Sequence, residues 1–267
     1  MSQAQTARHL EPALQRTESD IDASLRAAGS ATRSLRRLRA VVRDGNLREL
    51  KAALSAARET AGALQQQVAT TAQHWDFDET GYFADGAYTR ELLETAADMR
   101  VKIFEQDEQL YCYPSLVRVL PGERTLLIDR TRERRLRPSL VVEHLRSLQA
   151  RPPRFRPGAF LEALFNAYRV LVQRHGSAAL ARGSVERLTH VYELLTLLPG
   201  QSGEYSRHEF ARDLYLLDRS GITSTRDGFV VSFPASTGTK SARGVITAIT
   251  ETGRERRYWG IAFTRED

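Results

Sequence analysis

The sequence predicts a mainly α-helical protein of the α+β class, and three observations support this prediction. Apolar and small side chains recur every seven residues through the first quarter of the 267-residue chain, as they do in coiled coils. Short β-rich segments separated by turn residues follow in the middle. Amphipathic helical segments and a second group of β-rich segments complete the chain. We therefore expect residues 1–75 to form an antiparallel coiled-coil hairpin, 76–150 a small middle domain with an antiparallel sheet, and 157–267 a helical domain ending in a sheet.

The hairpin prediction rests on two interleaved sets of positions in each helix, on either side of a turn at residues 44–46. Before the turn the sets are Leu14, Ile21, Ala28, Leu35 and Val42, and Leu10, Thr17, Ser24, Ala31 and Leu38. After the turn they are Leu47, Leu54, Ala61, Val68 and Trp75, and Leu50, Ala57, Leu64 and Thr71. Small residues at matching distances from the turn predict a close approach of the two backbones: Ala28, Gly29 and Ala31 before it, and Ala57, Ala61 and Gly62 after it. At about 1.5 Å per residue, the hairpin would extend about 45–50 Å.

Four β-rich segments predict an antiparallel meander in the middle of the chain: 101–104, 109–113, 116–120 and 124–128. Helices are predicted at about 89–99, with Thr89 as the N-cap, and at 138–149, and an aromatic-rich loop at 81–86. The single cysteine, Cys112, falls in the second strand, where we expect a buried structural thiol.

In the C-terminal part, helices are predicted at about 160–176, 184–198 and 206–220. The last begins with a capping box, in which Ser206 and Glu209 would each accept a hydrogen bond from the other's backbone amide. Strands are predicted at 228–233, 244–249 and 257–263, with a polar, basic loop between the first two. This order of elements is similar to that of a winged helix-turn-helix, so we expect a winged-helix-like sheet.

Several classes of protein are excluded by what the sequence lacks. It has no run of about 18 apolar residues, which a membrane span requires, and its N-terminus shows no signal-peptide pattern. A single cysteine excludes an internal disulfide and a cysteine-based zinc site. We therefore expect a cytoplasmic protein without a membrane partner.

Two loops begin or end like ligand-binding motifs but lack the residues that the chemistry needs. Residues 229–241 end like a phosphate-binding loop, yet Pro234 and Thr239 occupy the places of its glycines. Residues 76–87 begin like a calcium loop, yet Ala87 stands where the closing glutamate belongs. We therefore expect neither nucleotide nor calcium to bind there.

The candidate catalytic groups are also incomplete. His208 begins a zinc-protease pattern in which Arg212 replaces the second histidine ligand. Asp129, Glu133 and Glu143 would be the acids of a nuclease, but no catalytic lysine accompanies them. The six histidines are not spaced as metal ligands, and each is expected at the surface or at a helix cap. We expect no catalytic residue, no metal and no cofactor.

Charge is unevenly distributed along the sequence. The formal net charge is +6, and residues 123–156 carry ten arginines against four acids, while residues 76–108 carry ten acids against three bases. Five of these arginines fall within eight residues, which is costly without counter-charge: Arg130, Arg132, Arg134, Arg135 and Arg137. Both the acidic segment of the same chain and the phosphate backbone of DNA fit as partners, and the sequence leaves the choice open.

A second group of arginines lies at the end of the first predicted helix, at positions 33, 36, 37, 39 and 43. One interpretation is a solvated face with cations near a helix C-terminus, where the helix dipole favours them. The other is a basic tip of the hairpin that contacts phosphates.

The function predicted from the sequence is a non-enzymatic, DNA-associated accessory subunit. It would bind double-stranded DNA and dock on a larger DNA-handling partner such as an ATPase, helicase or nuclease. In a winged helix, Arg207, Lys240 and Arg243 would converge on one side and contact phosphates. The predicted DNA-binding residues are Arg130, Arg132, Arg134, Arg135, Arg137, Arg207, Lys240 and Arg243. A purely structural adaptor, whose coiled coil and winged domain contact proteins, and an enzyme of unrecognised type are the alternatives.

Overall fold

The structure, a computed structural model, describes residues 9–153, 155–174, 183–198, 200, 204–234 and 244–265. It is mainly helical, as predicted, with 57% of residues in helices, two long N-terminal helices and an antiparallel sheet. No helix within these ranges is long and apolar enough to cross a membrane.

The chain packs as two compact units. The first comprises residues 1–99, 119–126 and 132–143, and the second comprises residues 100–118, 127–131 and 144–267. The three-domain division at residues 75, 150 and 157 stays a prediction.

The helices and strands alternate in groups along the chain. The helices are α1 (Leu10–Arg43), α2 (Leu47–His74), α3 (Glu79–Ala84), α4 (Ala87–Asp98), α5 (Pro138–Gln149), α6 (Pro157–Gln173), α7 (Leu188–Leu195) and α8 (Arg207–Ser220). The strands are β1 (Phe104–Gln106), β2 (Gln109–Cys112), β3 (Ser115–Leu120), β4 (Thr125–Ile128), β5 (Thr131–Glu133), β6 (Glu186–Arg187), β7 (Phe229–Ser232), β8 (Ile246–Ile249), β9 (Glu255–Tyr258) and β10 (Gly260–Arg265). They form a five-stranded sheet in the order β1-β2-β3-β4-β5, a three-stranded antiparallel sheet in the order β6-β10-β7, and an antiparallel β8-β9 pair.

The two long helices, α1 and α2, lie against each other on either side of the turn at residues 44–46. His74 Nδ1 is 2.8 Å from a carboxylate oxygen of Asp20, and Arg37 Nη2 is 3.5 Å from a carboxylate oxygen of Glu49. Residues far before the turn therefore contact residues far after it, and residues near the turn contact each other. The two helices run antiparallel.

One of the two predicted sets of contact positions in α1 is displaced by one residue. The set that begins with Leu10 lies at the contact line as predicted, and its members Leu10 and Ala31 are 7% and 6% exposed. Ile21 and Leu35, from the other set, are 46% and 54% exposed, and the buried positions are instead those of Ala13 and Val41. The prediction for this second set was wrong because it assigned the larger side chains to the contact line. The structure places small residues there, which lets the backbones approach closely.

The same displacement occurs in α2. Ala53 and Ala57 are buried, at 5% and 6% exposure, whereas Leu47 and Leu54 are 78% and 51% exposed. Alanine at the contact line of both helices supports the predicted close approach. Of the small residues named in that prediction, Ala31 and Ala57 are buried, whereas Ala61 is exposed.

The N-terminus of α1 is held by a buried carboxylate of α4. Glu91 is 4% exposed and accepts hydrogen bonds from the backbone N–H groups of Leu10 (2.6 Å) and Glu11 (2.7 Å) and from the hydroxyl of Tyr82. The first N–H groups of a helix have no partner within the helix. The carboxylate thus satisfies them, and it also complements the positive end of the helix dipole.

The aromatic-rich segment at 81–86 is mostly helical, not the predicted loop. Its helix, α3, begins after Asp78, whose carboxylate accepts a hydrogen bond from the N–H of Gly81 at 3.0 Å. Tyr82 and Phe83 are buried, at 7% and 5% exposure. Burial of these two rings outweighs the turn-forming tendency of the local sequence.

The second unit has its core among α6, α7, α8 and the β6-β10-β7 sheet. The fully buried side chains include Leu161, Leu164, Tyr168, Leu188, Val191, Phe210, Leu214, Ile261 and Phe263. The predicted capping box of α8 is confirmed, with Ser206 and Glu209 bonded in both directions. The predicted burial of Cys112 is also confirmed, and burial raises the pKa of its thiol to about 12.

Two C-terminal elements differ from the prediction. The helix predicted at 184–198 begins only at Leu188, because Glu186 and Arg187 pair with β10 as strand β6. The single strand predicted at 257–263 is divided at Trp259 into β9 and β10, which belong to different sheets.

We predict that Ala57→Leu destabilises the helix pair, because the larger side chain cannot fit at a contact line made by alanine. The expected loss is about 1–3 kcal/mol in the free energy of unfolding, measured by urea denaturation. The matched control is Ala56→Leu at the exposed neighbouring position, with an expected change within about 0.5 kcal/mol. Equal effects of the two variants would contradict the observed contact line.

Candidate nucleic-acid interface

Four of the five arginines in the 130–137 run form ion pairs within the chain. The pairs are Arg130–Glu209 (2.8 Å), Arg132–Glu123 (3.0 Å), Arg135–Glu133 (2.6 Å), Arg137–Glu11 (2.8 Å) and Arg137–Glu18 (2.8 Å). None of these carboxylates belongs to the acidic segment 76–108, which the sequence offered as the internal partner. That segment instead pairs through Glu79 with Arg124, at 2.6 Å. Internal counter-charge therefore reduces the positive charge that the run presents to DNA, and its DNA contact stays a prediction.

The pair between Arg137 and Glu11 is the least exposed of these, with side chains 27% and 17% exposed. Glu11 also accepts hydrogen bonds from the backbone N–H and the hydroxyl of Ser139, both at 3.0 Å. Burial acts to raise the pKa of Glu11, but the bonds from Arg137 and Ser139 outweigh it, so the pKa lies below its ordinary value of 4.5. The pair joins the start of α1 to the start of α5.

We predict that Arg137→Gln lowers the free energy of unfolding by about 1–2 kcal/mol at pH 7. A carboxyl group whose pKa is lowered by folding contributes stability above its unfolded-state pKa, and the contribution is lost as the pH falls through the folded-state pKa. The difference from the parent should therefore shrink as the pH falls below about 4, as followed by urea denaturation at several pH values.

The control for this prediction is Arg39→Gln, which removes the same charge from an exposed position and should change stability by less than about 0.5 kcal/mol. A loss with Arg137→Gln that is equally large at pH 2 would contradict the role assigned to the Glu11 carboxylate.

The predicted C-terminal DNA contacts are only partly within the described residues. Arg207 Nη2 donates to the backbone carbonyl of Val245 at 2.8 Å. Lys240 and Arg243 lie outside the described residues, so their predicted convergence with Arg207 stays a prediction.

The polar side chains of α8 are engaged within the second unit. His208 contacts Tyr111 (2.6 Å), Glu209 contacts Arg130 (2.8 Å), Arg212 contacts Asp129 (2.9 Å), Asp218 contacts Arg256 (2.8 Å), and Arg219 contacts Glu251. A helix that reads base edges in a major groove needs such groups directed to the solvent. Base reading by α8 would first have to break these contacts.

A polar cleft of about 440 Å³ lies beside the start of α8. Its lining residues are Gln106, Asp107, Arg207, His208, Val245, Thr247, Glu255 and Arg257. The sequence analysis expected His208 at the surface or at a helix cap. In the structure His208 is half-buried, and this burial lowers the pKa of its imidazole. The lining offers hydrogen-bond donors and acceptors to a small polar molecule, but it contains no nucleophile next to a base.

Two of the three acids that the sequence singled out, Asp129 and Glu133, have local structural roles. Asp129 accepts hydrogen bonds from the N–H of Leu116 at 3.1 Å and from Arg212 at 2.9 Å. Glu133 binds Arg135, which lowers the pKa of Glu133 to about 2. Within the described ranges, His, Cys, Asp and Glu side chains form no group of three or more that would hold a metal ion.

Exposed cations with few carboxylate partners surround the turn between α1 and α2. We call this set the basic tip: Arg33, Arg36, Arg37, Arg39 and Arg43 from α1, and Arg48, Lys51 and Arg58 from α2, all exposed. Residues 33–58 contain only two acids, Asp44 and Glu49, so this segment carries a net charge of +6, equal to that of the whole chain. In the part of the chain that the structure describes, Arg37 is the tip cation with a carboxylate partner, Glu49.

The helix dipole explains only a small part of the basic tip. Arg43 lies in the last turn of α1, where cations are favoured. Arg48 and Lys51 lie in the first turns of α2, where the positive end of the dipole disfavours them. The sequence analysis found the α1 arginines and missed the α2 cations, although their matching distance from the turn was the available signal.

Comparison of the chain with protein-family models, with curated proteins and with solved structures gives no match. The functional assignment therefore rests on the geometry of the described residues.

Proposed function

We propose that the protein is a non-enzymatic, DNA-associated accessory subunit that contacts the phosphate backbone of double-stranded DNA through the basic tip. The observation that carries this proposal is the contrast between two arginine groups. The 130–137 run is largely paired with carboxylates, while the basic tip is exposed and lies in a segment, residues 33–58, of net charge +6.

The dimensions of the basic tip suit a duplex. Its cations extend about ten residues from the turn along each helix, which is about 15 Å. A duplex carries one phosphate charge per about 1.7 Å of its axis, so about 15 Å of DNA presents about nine charges. Eight exposed cations match that number.

The chemistry of the basic tip favours binding without sequence preference. Residues 33–58 include no aromatic side chain on which a base would stack. Arginine and lysine contacts to phosphates position a protein on DNA but carry no sequence information. The proposed binding is therefore electrostatic and strongly dependent on salt.

Two finer features of the fold belong to the proposal. One is that α1 and α2 form an antiparallel coiled-coil hairpin, which their seven-residue contact pattern supports. The other is that α6 to β10 form a winged helix, which is supported by the order of elements α6-β6-α7-α8-β7-β8-β9-β10, in which helices are followed by strands, and by the sheet order β6-β10-β7. Since the polar groups of α8 are engaged, we propose that this winged domain docks on the larger DNA-handling partner rather than on bases.

A purely structural adaptor is the second candidate. The contacts that the polar side chains of α8 make within the second unit favour the adaptor. Because these side chains are not directed to bases, the winged domain would contact a protein through its other surfaces. In the adaptor, the basic tip would be a solvated surface without affinity for DNA.

We predict that Arg36→Gln, Arg39→Gln and Arg43→Gln together weaken binding to duplex DNA and flatten its salt dependence. Each lost phosphate contact should reduce the slope of log K against log [salt] by about 0.9. Fluorescence anisotropy with a labelled duplex measures both the affinity and the salt slope. The salt concentration would be varied between about 50 and 200 mM, the range in which phosphate contacts strongly change the affinity.

The matched control is the triple variant Arg130→Gln, Arg132→Gln and Arg135→Gln, which removes the same charge from the paired run. It should keep the parent's salt slope, because carboxylates already neutralise these three arginines. If the parent does not bind duplex DNA, the adaptor replaces the proposal. If only the control variant loses slope, the 130–137 run is the DNA contact.

A further inference from the structure

One line of apolar side chains on the α1–α2 pair is mostly exposed, and we call it the apolar flank. It consists of Leu14, Ile21, Ala28, Leu35 and Val42 from α1, and Leu47, Leu54, Ala61, Val68 and Trp75 from α2. Six of these residues are between 46% and 78% exposed, namely Ile21, Leu35, Val42, Leu47, Leu54 and Val68. They are the residues that pattern analysis had assigned to the contact between the helices.

The flank residues of both helices lie on one side of the pair. Each follows a position of the contact line by one residue, as Val42 follows Val41 and Leu54 follows Ala53. In two antiparallel helices with a seven-residue repeat, residues at this position face the same side. Arg37 and Glu49 each precede a contact-line residue by one position, so their ion pair lies on the side of the helix pair opposite the apolar flank.

The apolar area that the flank exposes is close to the area that one partner contributes to a protein–protein interface. The six residues, together with Leu25 at 64% exposure, leave on the order of 700 Å² of apolar surface in water. The largest patch on a typical monomer is about 300–600 Å², and each partner in a standard interface contributes about 800 Å². Such a surface is expected to be covered in solution.

The sizes of the flank side chains are symmetric about the middle of each helix. In α1, Ala28 is central, and Ile21 and Leu35 lie seven residues away on either side. The flank of α2 repeats this arrangement about Ala61. A two-fold axis that crosses the helices at Ala28 and Ala61 would place each Ile21 against Leu35 of a second copy, with the small residues allowing close approach.

Charge selects the direction of the second copy. With the tips together, two segments of net charge +6 would face each other. With the tip of one copy toward the start of α1 of the other, Arg39 would approach Glu18, which is 62% exposed although it contacts Arg137. Glu18 and Arg39 border the flank ten and eleven residues from Ala28, as the two-fold axis requires.

We propose that the apolar flank is covered by a second copy of this chain, packed antiparallel about a two-fold axis at Ala28 and Ala61 to form a four-helix dimer. This dimer does not depend on the DNA contact. An isologous interface of this kind closes on itself, so it forms a dimer rather than a filament.

The first test is the mass of the full-length protein by sedimentation equilibrium at micromolar concentration. The parent should have twice the 30.1 kDa chain mass. Leu35→Glu with Leu54→Glu should raise the dissociation constant at least about tenfold. It should keep the parent's helix content by circular dichroism, because both positions are exposed in the single chain. The control, Ala56→Glu with Ala63→Glu, adds the same charge to exposed positions that precede the contact line and should stay dimeric.

The second test fixes the direction of packing. Under mild oxidation by copper phenanthroline, Ala28→Cys should form a disulfide-linked dimer, because a residue on the two-fold axis faces its own copy. Val42→Cys should not form this disulfide, since residue 42 of one copy would face Leu14 of the second copy. The parent is the background control, as Cys112 is fully buried.

Three results would overturn the proposal. A monomeric parent would mean that the flank is free or binds a helix of another protein. A dimer that the glutamate pair leaves intact would form through another surface. Disulfide formation by Val42→Cys but not by Ala28→Cys would exclude the antiparallel arrangement.

Discussion

The arrangement of the first unit depends on the buried carboxylate of Glu91. A carboxylate that is only 4% exposed is costly without hydrogen-bond partners, and the first N–H groups of α1 have no partner within their helix. The backbone N–H groups of Leu10 and Glu11 donate hydrogen bonds to the Glu91 carboxylate at 2.6 and 2.7 Å, so the needs of both groups are met. Glu11 adds a second tie one residue later through Arg137. These contacts fix the start of α1, and the other end of the helix, about 50 Å away, carries the cations that have few internal partners.

This division of charge underlies the functional proposal. The arginines at 130–137 attract attention in the sequence because they are dense, but density measures neither exposure nor pairing. Carboxylates distant in sequence, such as Glu11 and Glu209, neutralise Arg137 and Arg130. The basic tip has a lower density of arginine, yet α1 and α2 together place eight exposed cations around one turn. Charge that is left in water is the charge available to a phosphate backbone.

Sequence patterns predicted the elements that strong local signals specify. Ser206 and Glu209 defined the start of α8, and Pro138 the start of α5. The patterns failed where contacts distant in sequence decide the outcome. β6 exists because β10 pairs with it. The contact line of α1 and α2 was assigned to the larger side chains because a seven-residue repeat identifies a line of residues without showing which of two adjacent lines is buried. The partners of the 130–137 arginines were likewise beyond a local pattern.

The central claim, that the basic tip is the DNA contact, is tested most directly by footprinting of arginine side chains. The full-length protein would be treated with an arginine-specific dicarbonyl reagent, with and without a saturating duplex, and the modified residues quantified by mass spectrometry. The account predicts strong protection of Arg36, Arg39 and Arg43 by DNA, with unchanged modification of Arg132 and Arg135. Protection confined to Arg132 and Arg135, or an identical pattern with and without bound duplex, would contradict it.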